Sequence, residues 1–527
     1  MRKSSFILLL IMVWGLTCQA QSLSVMGVQS GIWDADTVHV AGDVVVQDSL
    51  IVLPGTVVLF DRFFSIAVGE GAVFRALGTK EDSIRFTVAD STGMWLYNSL
   101  RGGWNGIVME RARQVQLDYC VLEYGKASQE LDQQGGALNI AHCRNVTLSN
   151  CSLRNNFARN RGGAVHAEDS QVVFLDCQFL KNRVYTEDNV FAMYGGAADF
   201  LRCDVEMKGM ELRENYGPSC IGGALSFDSC SLFLDRAVFA DNIGLNGGGM
   251  YLMRCNHKEC QLSNLFFDGN FSGHFGGGIA MSDASPEIYN ILVTNNTSEG
   301  VNCSGMFFYQ YCSPKMVNCI VYGNYPLDPV MDTTEMWIWT FEDHAPEMRN
   351  CLIEGDTAYI NGASLMKVFD DIIDADPLFM DADKHDFRLS ENSPCRDAGL
   401  LTTPQSVLDG LDLGGLSRVV NRRIDIGPYE YSPASLEERQ PQTPFARLIG
   451  NPLTAESRVE VDLEQPGPVA ISAYSLTGRC VFQQVVKTCA AGRNLIDVGK
   501  LSAEVAPGVY LIEVVTEEKR CSIKAVR

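Results

Sequence analysis

Three side chains near the middle of the chain have the chemistry needed for acid–base catalysis. Asp199 and Asp228 each follow a pair of glycines in an alternating apolar segment, and His166 follows an earlier pair. Hydrolysis of a glycosidic bond needs two carboxyl groups about 5–9 Å apart, and elimination needs a base with a cation that neutralises the substrate. Groups on separate segments cooperate only when the fold stacks them at the same phase, so the elements that position them decide whether such a site exists.

The position of His166 and Asp199 recurs along the chain, four residues after the first glycine of each pair. Its occupants are Asn139, His166, Asp199, Ser226, Tyr251 and Ala280. Alternating strands would turn these side chains outward, where Asp199 beside His166 and Tyr251 would line a surface groove. The alternative is that they are ordinary solvated side chains. The chain carries no Ser-His-Asp, HExxH, P-loop or dinucleotide-binding signature that would favour catalysis.

Paired glycines mark a repeat. The pairs begin at Gly135, Gly162, Gly195, Gly222, Gly247 and Gly276, and a degenerate seventh copy begins at Ser304. Successive starts differ by 25 to 33 residues, and apolar residues alternate with period two between them. This pattern predicts about three short strands per repeat. Such repeats stack as coils of a parallel β-helix about 4.8 Å apart, whereas a β-propeller blade, the alternative, needs roughly 40 residues and four strands.

Glycine, asparagine and cysteine take mechanical roles in this repeat. A glycine pair permits a positive φ or a close backbone approach. An asparagine that ends each copy is expected either at a left-handed corner or in an amide ladder along the stack, with a binding role as the alternative. Ten cysteines at two repeat positions are expected to face inward as small hydrophobes, although some neighbours could oxidise after export: Cys120, Cys143, Cys151, Cys177, Cys203, Cys230, Cys255, Cys312, Cys319 and Cys351.

One cysteine cluster has a superficial likeness to a metal loop. Cys255 and Cys260 flank His257 in Cys-Asn-His-Lys-Glu-Cys. The sequence supplies no second ligand pair at zinc-site spacing, so a disulfide or two independent thiols are expected instead. No metal or other cofactor is predicted, and the aspartates of residues 361–431 leave calcium as the one alternative.

Charge and the N-terminus limit the partners and the compartment. The 527 residues carry a formal net charge of −22, which disfavours nucleic acid, anionic membranes and acidic polysaccharides as partners. Arg2 and Lys3 precede an apolar run at residues 6–16, which predicts a signal peptide over residues 1–20 with cleavage between Ala20 and Gln21. Lipidation of Cys18 is the alternative, but its flanking residues depart from a lipobox. No later segment is apolar enough for a transmembrane helix.

The glycine and asparagine repeats resemble the right-handed parallel β-helix proteins of the pectin-lyase-like superfamily, including the polymorphic-outer-membrane-protein type. Residues 103–108, Gly-Trp-Asn-Gly-Ile-Val, and residues 117–125 resemble the first coil of that group. The resemblance implies an N-terminal cap and the first β-helix coils over residues 21–100, and parallel β-helix repeats over residues 101–360. Enzymes and binding proteins share this fold, so the fold leaves catalysis open.

Two further resemblances concern the C-terminal third. Asp-Pro-Leu-Phe at residues 376–379 and Asp-Ile-Gly-Pro-Tyr-Glu at residues 425–430 resemble the choice-of-anchor Q region, so residues 361–431 are expected to cap the open end of the stack. Residues 432–445 are polar and Pro-rich, as in a linker. Residues 446–527 are similar to the type IX secretion sorting domain of Bacteroidota, a small β-sandwich, with a carbohydrate-binding sandwich as the alternative.

These resemblances imply an all-β protein, a right-handed parallel β-helix followed by a small C-terminal β-sandwich, exported by the Sec and type IX pathways. The expected place is the outer surface of a Gram-negative bacterium, with surface lipopolysaccharide as the anchor. The expected function is adhesion through a glycan or host protein, without nucleic acid. A polysaccharide lyase or glycoside hydrolase is the alternative, with Asp199, Asp228 and His166 as its candidate catalytic residues, and a structural surface coat is a weaker third.

Overall fold

The computed structural model of the chain describes most of its 527 residues. The described ranges are 22–128, 134–185, 193–256, 259–299, 303–327, 334–341, 343–420, 422–432, 446–449, 454, 457–463, 466–475, 480–505, 509–516 and 520–526. The predicted signal peptide, with its cleavage site at Ala20 and Gln21, and nearly all of the predicted linker lie outside these residues. Contacts divide the chain into two compact units, Met1–Tyr431 and Ser432–Arg527.

Parallel strands build the first unit, and each repeat adds one strand to each of three ladders. The first two strands, Ser22–Trp33 and Thr37–Val52, pair with each other and begin all three ladders. Ladder A then continues through Ile66–Val68, Ile107–Glu110, Leu138–Ala141, Val165–Glu168, Ala198–Leu201, Leu225–Asp228, Met250–Met253, Ile279–Ser282, Met306–Gln310, Met336–Thr340 and Ile360–Asn361.

The chain passes from ladder A to ladder B and then to ladder C within each repeat. Ladder B contains Val73–Leu77, Gln114–Asp118, Val146–Ser149, Gln171–Leu175, Asp204–Arg213, Ser231–Ala240, Cys260–Asp268, Glu287–Tyr289, Lys315–Val317, Glu347–Arg349 and Val368–Asp370. Three of these strands continue into ladder C, whose other members are Val57–Phe60, Ile84–Val88, Cys120–Glu123, Ser152–Arg154, Gln178–Leu180, Leu292–Thr294, Ile320–Val321 and Leu352–Ile353. The prediction of an all-β chain with stacked parallel strands is confirmed.

Short strands between ladder C and the next glycine pair form an outer layer. One set contains Lys126–Ala127, Phe157–Ala158 and Arg183–Val184, and the other contains Met193–Tyr194, Cys220–Ile221, Ile243–Asn246, Phe271–Phe275 and Thr297–Ser298. This layer contributes its own small apolar cluster, which includes Met193 and Cys220. Tyr194, Cys220 and Phe275 of the outer layer lie beside the outward side chains of ladder A.

The inward side chains of the three ladders form one continuous core. Aromatic residues stack from coil to coil within it: the ring centroids of Phe200 and Phe227 are 5.2 Å apart, and those of Phe239 and Phe267 are 4.4 Å apart. The fifteen cysteines whose side chains are described are all buried thiols without a disulfide. The prediction that the ten repeat cysteines face inward is confirmed.

Each glycine of a pair has its own reason to be glycine. The first has a positive φ, +57° at Gly195, which L side chains rarely adopt. The second has an ordinary φ, but a Cβ on Gly196 would lie 2.0 Å from the carbonyl oxygen of Gly223 in the next repeat. The two explanations offered by the sequence therefore both hold, one for each glycine.

Seven asparagines form a buried amide ladder. In the first six, the side-chain Nδ2 donates to the Oδ1 of the next asparagine at 2.8–3.0 Å, and the Nδ2 of all seven also donates to a backbone carbonyl. The members are Asn156, Asn182, Asn215, Asn242, Asn270, Asn296 and Asn324. The amide-ladder expectation is confirmed, whereas the left-handed corner belongs to the preceding residue, such as Asn155 with φ 55° or Asp241 with φ 55°.

Most of the predicted end cap lies beside ladder C. Residues up to Val368–Asp370 extend the ladders as their last strands, and the rest packs against the side of ladder C. Phe387, Leu389, Cys395 and Ile426 form a core there with the outward residues of ladder C, namely Phe266, Leu292, Ile320 and Leu352. Apolar side chains of residues 363–372 pack against the main core, so a cap stays a prediction for that part, whereas the later residues pack beside the apolar outward column of ladder C.

Hydrogen bonds also hold this C-terminal part of the first unit against ladder C. Corner asparagines of ladder C anchor it, with Asn290 Nδ2 donating to the Asp425 carbonyl at 3.0 Å and Asn350 Nδ2 to the Ala398 carbonyl at 2.8 Å. Its elements are the strands Phe379–Asp381 and Asp386–Leu389, the 3-10 helices Asp356–Tyr359, Ala363–Leu365 and Ala382–Lys384, and the α-helix Gln405–Leu408.

The second unit contains two antiparallel sheets with a shared core. The three-stranded sheet contains Ala446–Ile449, Arg458–Leu463 and Gly492–Asp497, and the four-stranded sheet contains Cys480–Cys489, Gly467–Ser475, Val509–Val515 and Arg520–Val526. Val461, Ile471 and Ile512 are among the core residues, and one short helix, Gly499–Glu504, contributes Leu501. In the part of the chain that the structure describes, no helix has the length and apolarity to cross a membrane.

Candidate functional site

The outward side chains of ladder A form two columns that run along the stack. The strands pair in register, so every second side chain of one strand lies beside its counterpart in the next. Column 1 contains Asn139, His166, Asp199, Ser226, Tyr251, Ala280, Phe307 and Trp337. Column 2 contains Ala141, Glu168, Leu201, Asp228, Met253, Ser282, Tyr309 and Trp339. The columns begin polar and end aromatic.

A buried ion-pair network occupies the polar half of column 1. Asp199 Oδ2 lies 2.8 Å from His166 Nδ1 and accepts a hydrogen bond from Arg161 Nη1 at 3.1 Å. The Arg161 guanidinium in turn lies over the Tyr194 ring, 4.1 Å from its centroid. Asp199 and His166 are 0% and 2% exposed. The structure therefore brings the two predicted residues together, but the outer layer covers them, and the expectation of a surface groove or of solvated side chains is wrong.

The surroundings of Asp199 favour a structural role over a catalytic one. Its second oxygen, Oδ1, is buried without a hydrogen-bond partner among the described residues. Burial, with the charge of Asp199 adding to it, raises the pKa of the neighbouring Cys220 thiol well above its ordinary value. Ser226 is next in the column and Tyr251 follows one strand later, so Asp199 lies between histidine and serine. This order differs from a catalytic triad, in which histidine bridges serine and aspartate.

Asp228 does not pair with Asp199. Its register partner is Leu201, two residues beyond Asp199, and its place is in column 2. The Asp228 carboxylate forms an ion pair with Arg254 and accepts a hydrogen bond from Ser229 Oγ at 2.9 Å. Both predicted carboxylates therefore already have basic partners within the chain. The two carboxylates do not stack at one phase, as joint catalysis in adjacent coils would require.

The aromatic half of the same columns reaches the surface at Trp339, while Phe307 is buried and Tyr309 and Trp337 are partly buried. Phe307 and Tyr309 on Met306–Gln310 lie beside Trp337 and Trp339 on Met336–Thr340. Along each strand the rings are nearly parallel, with centroids 5.9 Å apart for Phe307 and Tyr309 and 5.8 Å for the two tryptophans. Between the strands the rings meet at steep angles, 63° for Phe307 with Trp337 and 79° for Tyr309 with Trp339. The exposed fraction of Trp339 is 54%.

A one-residue insertion extends this surface. Asp283 and Gln310 occupy the same left-handed corner in adjacent strands, with φ 50° and 59°. The buried residue that follows the corner is Ala284 in one coil but Cys312 in the next, so Tyr311 is extra and protrudes with 46% exposure. Its ring lies 5.0 Å from that of Phe341, which is 51% exposed. We call Phe307, Tyr309, Tyr311, Trp337, Trp339 and Phe341 the aromatic face.

The aromatic face was missed by the search for acids and bases, although the sequence carries a signal for it. Residues 306–311 read Met-Phe-Phe-Tyr-Gln-Tyr and residues 336–341 read Met-Trp-Ile-Trp-Thr-Phe. Each segment has aromatic residues at its second, fourth and sixth positions, which period two places on one face. The two segments begin 30 residues apart, which equals one repeat. The register also shows that the degenerate copy begins at Cys303, one residue before the predicted Ser304, since Ile279, three residues after Gly276, pairs with Met306.

Glu335 ends the asparagine ladder next to the aromatic face. Its Oε1 accepts from Asn324 N at 3.0 Å and its Oε2 from Asn324 Nδ2 at 2.6 Å, so its carboxyl group takes the place of the next amide. Burial, with a contribution from the neighbouring Glu354 carboxyl group, raises the pKa of Glu335 to about 8. Met336–Thr340, which carries both tryptophans, begins at the next residue.

A shallow groove on the outer face of ladder B has a different character. It encloses about 480 Å³ and is lined by Phe233 and the carboxylates of Asp204, Glu206, Glu259 and Glu287. Lys208 Nζ lies 2.6 Å from Glu206 Oε1 and 4.9 Å from the Phe233 ring centroid. Lys315 Nζ lies 3.4 Å from Glu287 Oε1, so the groove is an acidic surface with two lysines as counter-ions.

The residues singled out for metals have other roles where they are described. Cys255 and Cys260 are buried thiols, and His257 lies outside the described residues. We call residues 373–431, which pack against the side of ladder C, the side segment. In it, the Asp425 oxygens accept from the backbone amides of Asp397 and Tyr431, both at 2.5 Å, and Arg418 forms an ion pair with Glu430 at 3.0 Å. Within the described ranges, no group of three or more His, Cys, Asp or Glu side chains converges to hold a metal ion.

Comparison with known proteins gives no relative from which a function could be carried over. No family model matches the chain. No curated protein matches it either.

Proposed function

We propose that this chain is an exported protein, displayed at the outer surface of a Gram-negative bacterium, that binds a glycan or a host protein. The fold proposed for it is a right-handed parallel β-helix of the pectin-lyase-like type. Three parallel ladders, a buried amide ladder and paired glycines at each turn support this proposal. A small β-sandwich, residues 446–527, follows it in the proposal.

The export route rests on two sequence features. The N-terminal charge and apolar run are typical of a Sec signal peptide, and residues 446–527 resemble a type IX sorting domain. In proteins with that domain, the tail directs passage across the outer membrane and is cleaved, and surface lipopolysaccharide usually anchors the remainder. Sequencing both termini of the surface form tests this route: a protein that begins at Gln21 and lacks the residues after about 440 supports it, whereas an intact C-terminus contradicts it.

The observation that carries the binding function is the exposed aromatic face. Exposed clusters of large apolar side chains are uncommon on soluble proteins and mark interaction sites. Trp339, Phe341 and Tyr311 are each about half exposed. Trp339 lies on the strand Met336–Thr340, and Tyr311 and Phe341 directly follow the ends of the two strands. The alternative, a polysaccharide lyase or glycoside hydrolase, has weaker support, because its candidates Asp199 and His166 are buried and ion-paired.

The experiment that separates binding from catalysis uses the full chain. Immobilised glycans and host extracellular proteins are screened for retention, and each glycan is also assayed for released reducing ends and for unsaturated products. Retention without product supports the proposal, and product release contradicts it. If the aromatic face carries the binding, Trp339→Ala should reduce retention. Met26→Ala is its matched control, because it removes an apolar side chain that is 68% exposed on the first strand.

A further inference from the structure

We infer that the aromatic face binds an uncharged polysaccharide whose sugar rings stack on Trp337, Trp339 and Tyr309. This inference rests on the proposed binding function and specifies the ligand and its location. Four observations carry it: the ring arrangement, the support beneath the rings, the exposed position of the face, and the charge of the protein.

The ring arrangement suits a ligand made of repeated flat units. Each of the two strands presents a pair of nearly parallel rings, at 12° for Trp337 and Trp339 and 19° for Phe307 and Tyr309. Successive outward side chains on a strand are about 6.6–6.8 Å apart at their Cα atoms, so the face offers a regular row of stacking positions. A pyranose ring has an apolar face of C–H groups that packs on an aromatic ring, while its hydroxyls remain at the edge.

The groups at the edge of the rings are polar donors. The indole N–H groups of the two tryptophans and the phenol O–H groups of Tyr309 and Tyr311 can hydrogen-bond with sugar hydroxyls. His344 lies beside Tyr311, with ring centroids 5.2 Å apart, and adds another uncharged donor or acceptor when neutral. The face therefore combines apolar ring surfaces with peripheral hydrogen-bonding groups, as a sugar chain does.

The rings are held in place before a ligand arrives. Phe275 from the outer layer packs beneath them, 4.6 Å from Phe307 and 5.6 Å from Trp337 between centroids. Phe307 is itself 5% exposed, so it belongs to the support more than to the surface. Aromatic side chains fixed on strands lose little conformational entropy on binding, which favours affinity.

The chain treats a second apolar outward column in the opposite way. On ladder C the outward residues Phe266, Leu292, Ile320 and Leu352 are fully or almost fully buried under the side segment. On ladder A the corresponding outward residues remain exposed at Trp339. The rings of the aromatic face also have no Lys or Arg stacked on them among the described residues. The protein thus covers the apolar column of ladder C and leaves the aromatic face of ladder A available to an external ligand.

Charge decides which glycan fits. The aromatic face contains only Phe, Tyr and Trp side chains, and the whole protein carries a formal net charge of −22. Asp283, at the neighbouring corner, and Asp343 add negative charge nearby. An anionic polysaccharide would be repelled, and a basic protein would find its countercharge on the ladder B groove instead. An uncharged polysaccharide has no such conflict.

The test uses the full chain and a fixed set of probes. The uncharged probes are a soluble β-1,4-glucan, a β-1,3-glucan, a mannan and an α-glucan, the anionic probes are polygalacturonate and heparin, and the protein probes are collagen and fibronectin. Retardation in native gels containing each polysaccharide and titration of tryptophan fluorescence measure binding to the glycans, and surface capture measures binding to the proteins. Binding to at least one uncharged polysaccharide, unchanged between low and high salt, is the expected result.

Variants tie this binding to the aromatic face. Trp339→Ala and Trp337→Ala are expected to weaken binding about tenfold or more, as truncation of an aromatic hot spot does, and Trp339→Phe to retain part of it. Met26→Ala is expected to bind as the parent does. The melting temperature of each variant is measured alongside, and Tyr311→Ala provides a second exposed substitution if a tryptophan variant proves unstable.

The contrary outcomes separate the inference from the proposed function. Salt-sensitive binding to the anionic probes alone, or capture by the proteins alone, overturns the uncharged ligand but leaves a binding protein. Binding to an uncharged glycan that survives both tryptophan substitutions overturns the location. Lack of binding to every probe overturns the inference and the proposed function together.

Discussion

The two halves of the outer face of ladder A share a backbone and a register but differ in what covers them. Short outer strands cover the first half, where Asp199 and His166 are buried and paired with each other and with Arg161. The second half is open at Trp339 and Phe341. A charge under a cover must be neutralised by the protein itself, because an unpaired buried charge costs several kcal/mol.

This difference shows which residues are available for function. The groups with the most evident chemistry, two carboxylates and a histidine, are committed to internal partners. The residues with the least reactive chemistry, the aromatic side chains, are the ones that solvent and ligands reach. Where parallel strands stack in register, access to an outward side chain therefore depends on the residues that cover its column as much as on the side chain itself.

The largest expected effect concerns the covered half. Asp199→Asn removes the charge that neutralises Arg161, so we expect the apparent free energy of unfolding to fall by about 3–5 kcal/mol. Denaturant unfolding followed by circular dichroism measures it, with each transition fitted separately because stacked repeats unfold in more than one step when their interfaces are weak. Glycan binding by the folded variant should equal that of the parent. A variant that keeps its stability and loses an enzymatic activity would restore Asp199 as a catalytic candidate.

The second effect concerns the boundary between the amide ladder and the open half. Glu335 has a pKa of about 8 in the folded chain, above its ordinary value of 4.5. Its protonated form is therefore favoured by folding. The stabilisation is fully present below about pH 4.5, falls as the unfolded chain ionises, and is lost as pH rises through about 8.

Glu335→Gln tests this pH dependence. The amide cannot ionise, but it offers one acceptor oxygen where Glu335 offers two to Asn324 N and Nδ2, so the variant loses one hydrogen bond at every pH. Its free energy of unfolding relative to the parent should therefore rise by a few kcal/mol between pH 4.5 and pH 8. Glu354→Gln is the matched control: it removes the like charge beside Glu335 and should make the fall with pH shallower. Thermal melts from pH 4 to pH 9 measure both. Parallel pH profiles for the parent and Glu335→Gln would contradict a protonated Glu335.

The sequence predicts the scaffold well because the scaffold repeats. Period-two strands, glycine pairs and a phased asparagine each recur several times, so their joint pattern defines the stacked parallel strands and the amide ladder. The same repeat correctly places His166 and Asp199 on adjacent strands. These features depend on local geometry that every copy must satisfy.

The features that the sequence did not predict depend on which outward side chains are buried by residues from other parts of the chain. Tyr194 and Cys220, which flank Asp199, belong to two-residue strands without a periodic pattern, so the burial of Asp199 carries no local signal. The side position of Phe387 and Ile426 depends on apolar residues in ladder C that a single strand cannot distinguish from core. The aromatic face did have a local signal, but it lay in the two most degenerate repeats.

The smallest expected effect tests where the covered half ends. Asp228 is 5% exposed, yet its partner Arg254 has a side chain that is 52% exposed, so water can solvate the guanidinium if the pair is broken. Asp228→Asn should therefore lower the apparent free energy of unfolding by about 1 kcal/mol or less, because an ion pair with one exposed partner is worth little. The amide can still accept the hydrogen bond from Ser229. If Asp228→Asn proves as costly as Asp199→Asn in the same denaturant titrations, the cover extends over both columns, and exposure of the basic partner does not explain the difference between the two aspartates.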